Sequence, residues 1–255
     1  MQRKVIGILG GCGPYAGINL VKCIFDQTIA KKDQDHIPVF LSSMPDIIAD
    51  RTAFLDTGNG ENPGHAIANS IGQMESIGVS IAGLACNTSY VPDIYDVILR
   101  DLAQMGCKIK LVHMIEETVA FIRNTYSFSD KIAVLGTNGL FQSGLYNKML
   151  ADAGFKIIKP ALSFQREIIH KCIYDEKHGI KARSNPVTDW ARQRIIEVIR
   201  HFKQKNVKII VLGCTEFSLA ISDLEVCGLK VVDSTKILAR ALIRDSYPYK
   251  LRPWT

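Results

Sequence analysis

Three features of this 255-residue sequence point to an α/β protein with mostly parallel sheets, built from two similar halves. Short apolar and β-branched runs alternate with helix-length segments along the chain. The opening run Lys4-Val5-Ile6-Gly7-Ile8-Leu9-Gly10 is echoed, 127 residues on, by Lys131-Ile132-Ala133-Val134-Leu135-Gly136. Two further runs stop at a cysteine followed by small polar residues: Val79 to Leu84 leads to Cys86-Asn87-Thr88-Ser89, and Val207 to Leu212 leads to Cys214-Thr215-Glu216. These cysteines are separated by almost the same displacement, so each half is expected to contribute one from an equivalent position.

In order, the strand-like runs are Val5–Leu9, Val39–Ser42, Val79–Leu84, Ile109–His113, Ile132–Leu135, Phe155–Ile158, Val207–Leu212 and Leu229–Val232. Binding sites of such proteins lie where parallel strands end on their carboxyl side. Between the second and third runs, residues 46–65 hold Asp50, Arg51 and Gly58-Asn59-Gly60-Glu61-Asn62-Pro63-Gly64, which reads as a surface loop punctuated by glycine and proline. Residues 174–186 form a comparable irregular polar segment in the second half. From Trp190 to Phe202 the periodicity is helical, with Ala191, Ile195, Val198, Ile199 and Phe202 on one face. The tail from Tyr247 to Thr255 has prolines and aromatics without a period, and no task is assigned to it.

Composition excludes several classes. Hydrophobic content of 47% and charged content of 22% suit a globular protein with a large core. Apolar runs are interrupted well short of membrane-spanning length and no long apolar signal core opens the chain, so a cytoplasmic protein with no membrane partner is expected. The net charge of +6 comes from 31 scattered basic residues without interleaved aromatics, which argues against a nucleic-acid partner. Seven cysteines without regular spacing predict reduced thiols rather than a disulfide scaffold. With no Cys-x-x-Cys or His-Glu-x-x-His spacing, no metal is expected.

After the first strand, Gly11-Cys12-Gly13-Pro14-Tyr15-Ala16 formally satisfies the dinucleotide pattern G-x-G-x-x-A. The acid that should end the next strand is missing, since that run ends in Ser42 and Ser43. Pro14 suits the first turn of a helix whose free backbone N–H groups hold any anion, a small carboxylate included. Cys12, Cys23, Cys107, Cys172 and Cys227 are expected to be buried small hydrophobes, the ordinary fate of a free cysteine. For Cys86 and Cys214 the polar residues that follow, able to begin a helix, argue otherwise. A helix amino terminus favours a thiolate by about 2 kcal/mol at most. Two thiols facing one carbon acid suit proton removal from one face and return on the other, which inverts the centre and requires no cofactor.

Gly7 to Ala16, Asp50-Arg51-Thr52, Cys86-Asn87-Thr88-Ser89 and Gly213-Cys214-Thr215-Glu216 together resemble the aspartate/glutamate racemase family, in particular its cofactor-independent aspartate racemases. The resemblance implies two similar α/β domains, each with a four-stranded parallel sheet flanked by helices, related by a pseudo-twofold, with the site in the cleft between them and a homodimer as the usual assembly. The domains would be residues 1–114 with 234–255, carrying Cys86, and residues 115–233, carrying Cys214. By the same resemblance Cys86 and Cys214 are the acid/base pair, and Asn87, Thr88 and Thr215 hold the α-carboxylate or α-amino group of a small acidic amino acid. Gly11, Thr137 and Glu216 complete the expected substrate contacts. Arg51 matches the residue that holds the side-chain carboxylate, and Lys181 resembles a second such cation, with Lys177 as its competitor. Either charge read alone is an ordinary solvated loop residue.

Two departures stand out. Tyr90 occupies a position where the family often has histidine, and Cys12 replaces a frequent methionine in Gly-Gly-Met-Gly-Pro. Gly10-Gly11 after the first strand, in place of Asp-Ser-Gly-type residues, argues against a cell-wall glutamate racemase. The expectation is therefore racemisation of aspartate, with glutamate next. The alternatives are a related carbanion enzyme, such as a hydantoin racemase or a malonate decarboxylase, and a non-catalytic ligand-binding protein whose site Tyr90 crowds.

Overall fold

The computed structural model describes residues 4–254. The chain divides into two compact units, one running to Glu117 and resuming at Thr235, the other spanning Thr118–Ser234. In the first unit β1 (Val5–Leu9), β2 (Val39–Ser42), β3 (Val79–Leu84) and β4 (Lys110–Leu111) form a parallel sheet in the order β2-β1-β3-β4. In the second, β5 (Lys131–Leu135), β6 (Lys156–Ile157), β7 (Ile209–Leu212), β8 (Glu225–Val226) and β9 (Leu229–Asp233) run in the order β6-β5-β7-β9-β8. All its pairs are parallel except β8 with β9.

The fold class is the one expected, with one difference: the second sheet has a fifth strand. β8 reaches β9 through the two-residue turn Cys227-Gly228, whose φ values are 54° and 78°. Two consecutive left-handed residues make the hairpin turn that matches strand twist, and sequences usually announce it with Asn-Gly. A cysteine in the first position concealed it.

Parallel register aligns the strand ends. Leu9 pairs with Ser42 and Leu84, and the chain beyond is locked by Gly10 N–H to Ser42 O (2.8 Å) and Ala85 N–H to Leu9 O (2.9 Å). Leu135 pairs with Leu212, and Gly213 N–H donates to Leu135 O (2.8 Å). In each unit the residues leaving the sheet thus emerge in one row.

The segment 46–65 is not the loop its glycines and proline suggested. Helix Arg51–Thr57 starts at Asp50, whose carboxylate accepts from Ala53 N–H at 2.9 Å, and ends at Gly58 in the left-handed conformation. Helix Pro63–Glu75 starts at Asn62, whose amide oxygen accepts from Gly64 N–H at 2.8 Å. Residues read as loop punctuation are helix caps, and the irregular parts of the segment are the turn before Asp50 and the exposed stretch 58–61.

The helix expected from Trp190 spans Asp189–Gln204, capped by Thr188, and buries all five residues of its apolar face. The tail is packed as well. Lys250 O accepts from Ile29 N–H, Arg252 N–H donates to Gln27 O, and Arg252 Nε donates to Thr28 O, tying the chain end to the exit of helix Pro14–Asp26.

Candidate functional site

In the first unit, Gly11 turns the chain out of β1 with φ +78°, and a Cβ there would lie 3.0 Å from Met44 N, so glycine is required. Cys12 follows and is buried. Next along the row, Cys86 leaves β3 in extended conformation and opens a single 3₁₀ turn, Asn87–Tyr90, all of it buried. Arg51, at the start of its helix, is only 5% exposed, and its guanidinium donates to Ala49 O (3.0 Å) and Cys12 O (2.5 Å). It is not a solvated loop charge. Gly11, Arg51, Cys86, Asn87 and Thr88 are therefore gathered at the carboxyl edge of one sheet.

Cys12 is the surprise in this group. Expected to be packing, its sulfur lies 3.7 Å from Ser89 Oγ and in hydrogen-bonding contact with the Cys86 thiol. The signal was available: Cys12 leaves a strand adjacent to the one that Cys86 leaves. The Cys86 contact first, and burial second, push the Cys12 thiol well above its ordinary range, while the Arg51 charge pulls the other way. Cys23 and Cys172 are buried as expected, but Cys107 and Cys227 are only half-buried.

Tyr90 does not crowd this row. Its ring is 1% exposed and packs against Tyr95 and His113, with centroids 5.3 and 4.6 Å away. Its hydroxyl accepts from Leu84 N–H and donates to Val112 O, both at 3.0 Å. The residue pins the turn after Cys86 to the ends of β3 and β4. Burial holds the phenol neutral far above its usual range.

In the second unit, Gly136 and Thr137 leave β5 beside Gly213 and Cys214, which leave β7. Thr137 Oγ1 caps helix Asn138–Ser143 by accepting from Leu140 N–H. The Cys214 thiol donates to Glu216 Oε2 at 2.9 Å, and Thr215 Oγ1 donates to the same oxygen at 3.2 Å. Lys181 Nζ stands 3.8 Å from the other Glu216 oxygen and 5.1 Å from the Tyr174 ring centroid. Lys177 is exposed, its backbone N–H bound to Asp175 Oδ1. Of the two competing cations, Lys181 is the one in the Cys214 group.

Glu216 reverses an expectation. Only one helical turn, Phe217–Ala220, follows Cys214, too short for a substantial dipole. Burial, and after it the adjacent carboxylate, push the Cys214 thiol well above the ordinary range, with Lys181 opposing weakly. Cys214 thus rests as a thiol hydrogen-bonded to a carboxylate.

Sequence reasoning missed Gln165. It is fully buried at the start of the π-helical turn Gln165–Ile169, and its amide nitrogen donates to Gly136 O (3.0 Å) and Asn138 Oδ1 (3.3 Å). Asn138 N–H in turn donates to His170 Nδ1 (3.3 Å), and the His170 ring stacks on Tyr174 at 4.4 Å. The π-turn is a frequent mark of a functional site, but nothing in the sequence distinguishes it from an α-helical turn.

Among the described residues there is no cluster of three His, Cys, Asp or Glu able to hold a metal, and no helix is long and apolar enough to cross a membrane.

Known proteins resemble this chain over nearly its whole length. The family model described as Asp/Glu/Hydantoin racemase matches residues 9–242. The broad specificity amino-acid racemase RacX of Bacillus subtilis (strain 168) is 25% identical over 253 residues, covering 96% of this chain and all of the relative. The solved aspartate racemase of Picrophilus torridus is 29% identical with a TM-score of 0.78, covering 95% of this chain and 94% of its own. An aspartate racemase homologue from Pyrococcus horikoshii OT3, at 22% identity and a TM-score of 0.69 over 96% and 99% of the two chains, shares the fold.

Proposed function

This chain belongs to the Asp/Glu/Hydantoin racemase family, and we propose that it interconverts L- and D-aspartate, with glutamate the next candidate, by proton transfer between two thiols and the substrate α-carbon. The observation that carries the reading is a cysteine just past the carboxyl end of a central parallel strand in each unit, with Cys214 held as a thiol by burial and Glu216. Cys86, at the carboxyl end of β3, is followed by the uncharged residues Asn87-Thr88-Ser89.

In one direction the Cys86 thiolate removes the α-proton and becomes a thiol. The electron pair left on carbon delocalises into the α-carboxylate. Cys214 gives its S–H proton to the opposite face and becomes a thiolate beside Glu216 and Lys181. The reverse direction exchanges the roles, so no net proton is consumed and the scheme uses no cofactor.

Asn87, Thr88 and Thr215 hold the α-carboxylate and ammonium, with backbone donors of the Gly11 turn and the Thr137 cap nearby in their respective rows. Arg51 supplies positive charge for the side-chain carboxylate, and Lys181 a second cation. Glu216 serves first to keep Cys214 protonated and second to attract the ammonium group. Donors fixed in water-poor surroundings stabilise a developing enediolate far better than solvent does. A homodimer in the cytoplasm belongs to the same proposal.

The test is a set of incubations of L- and D-aspartate and glutamate in deuterated water with wild type, Cys86→Ala and Cys214→Ala. Wild type is expected to form the opposite enantiomer carrying solvent deuterium at the α-carbon. Each variant is expected to lose racemisation by about a hundredfold to ten-thousandfold, the scale of removing a required acid or base. Full activity in either variant would end the two-thiol scheme.

A further inference from the structure

The row in the first unit contains a second thiol for which the scheme above has no use. Cys12 is one residue beyond the obligatory left-handed turn at Gly11, and its backbone is held in place because Arg51 Nη2 donates to its carbonyl oxygen at 2.5 Å. Its strand is paired with the one that ends at Cys86, and Ala85 N–H closes onto Leu9 O at 2.9 Å. Its sulfur is 3.7 Å from Ser89 Oγ, and Ser89 belongs to the single turn that Cys86 opens, where Ser89 N–H donates to Cys86 O at 3.3 Å. Backbone and side chain alike thus hold the Cys12 sulfur against the Cys86 thiol.

We propose that Cys12 is a positioning residue for Cys86, its thiol donating a hydrogen bond to the Cys86 sulfur and so favouring the thiolate in the resting enzyme.

The direction of donation follows from the surroundings. Two adjacent buried thiols do not both ionise, because the second charge would sit beside the first in a low-dielectric site. Cys12 is the one that keeps its proton, its thiol raised chiefly by its contact with Cys86 and then by burial. Ser89, fully buried, completes the arrangement by supplying a hydroxyl to the Cys12 sulfur. Among the described residues, the titratable and charged groups that face the pair include Arg51, from helix Arg51–Thr57, and Tyr90, a buried phenol kept neutral. Arg51 favours the negative sulfur and Tyr90 carries no charge to oppose it. A thiol is a weak donor, but its hydrogen bond to an anion is strengthened by the charge.

This inference rests on the racemase reading for its purpose and not for its test. Alkylation of Cys86 by iodoacetamide, followed by mass spectrometry of the peptide from pH 6 to 9.5, reports the thiolate without any turnover. In Cys12→Ala the midpoint is expected to rise by about one pH unit, making alkylation below both midpoints about tenfold slower. Cys12→Ser, which keeps a donor, is expected to stay near wild type, and the acid limb of kcat/KM for aspartate is expected to move in parallel. Should Cys12→Ala fold poorly, Ser89→Ala is expected to shift the midpoint the same way by less. Unchanged midpoints in Cys12→Ala and Ser89→Ala, equal shifts with alanine and serine at position 12, or a Cys86 that resists alkylation at every pH would each overturn the proposal. Activity retained by Cys86→Ala would instead sink the racemase reading and leave the alkylation result standing.

Discussion

Glu216 shows how one side chain sets the chemistry of its neighbour. A carboxylate 2.9 Å from the Cys214 sulfur makes the thiolate the unfavourable form, and burial adds to the effect. Such thiols tie stability to alkaline pH. Cys172, whose Sγ donates to Ile168 O, is pushed up to about 12, mainly by burial. Its folded value lies above its unfolded one, so the stabilisation is complete below the ordinary thiol range near 8.5. It is lost as pH rises towards about 12. Urea unfolding at pH 8, 9, 10 and 11 is therefore expected to show declining stability. In Cys172→Ala the decline between pH 9 and 11 should be shallower by up to about 1.4 kcal/mol per pH unit. Parallel slopes for the two proteins would refute the assignment.

At the scale of elements, the lesson is that loop-forming and helix-capping residues are the same residues. Asp50, Gly58, Asn62 and Pro63 read as a loop because each disfavours the helix interior, and in the structure each sits at a helix end. That exchange turned Arg51 from an exposed loop charge into a buried residue. A second device is the seating of helix Pro14–Asp26 on the end of β1. A Cβ on Gly17 would meet Gly10 Cα at 2.9 Å, a backbone atom that has no rotamer to yield with. Gly17→Ala is expected to destabilise the protein by about 1–3 kcal/mol, read as a lower urea midpoint with an unchanged m-value. It is also expected to weaken the proposed racemisation, because the Gly11-Cys12 turn is attached to that strand end. A variant as stable as wild type would mean that helix and strand separate without cost.

For the whole molecule, the decisive feature is that the chain leaves its first unit near Glu117 and returns to it at Thr235. The returning helix Ser234–Ser246 brings Leu238 and Leu242 against β3, where a Cβ on Gly83 would lie 3.0 Å from Leu238 Cδ2. Arg244 pairs with both Glu117 carboxylate oxygens at 2.8 Å and with Asp245 at 2.6 Å, which also takes Lys110. The sheet that carries Cys86 is thus completed by the last tenth of the sequence. Leu238→Ala is expected to cost about 2–5 kcal/mol, measured by urea unfolding, and a chain ending at Ser234 is expected to lose cooperative unfolding of the first unit. Cooperative unfolding with native-like near-ultraviolet dichroism in the shortened chain would contradict this.

The alternation of apolar runs and helical stretches, the echo of β1 in β5, the apolar face of helix Asp189–Gln204 and the two cysteines at strand ends were determined by the sequence alone. Each is written in the local order of apolar and polar residues, which the chain displays before it folds. The tertiary structure decided what local order cannot express. Parallel pairing of β1 with β3 put Cys12 against Cys86, the close of a turn put Glu216 under Cys214, and the register of β3 and β4 gave the Tyr90 hydroxyl its two backbone partners. Protonation and orientation depend on groups brought within a few ångströms by strands far apart in sequence, and that proximity exists only once the sheets have formed.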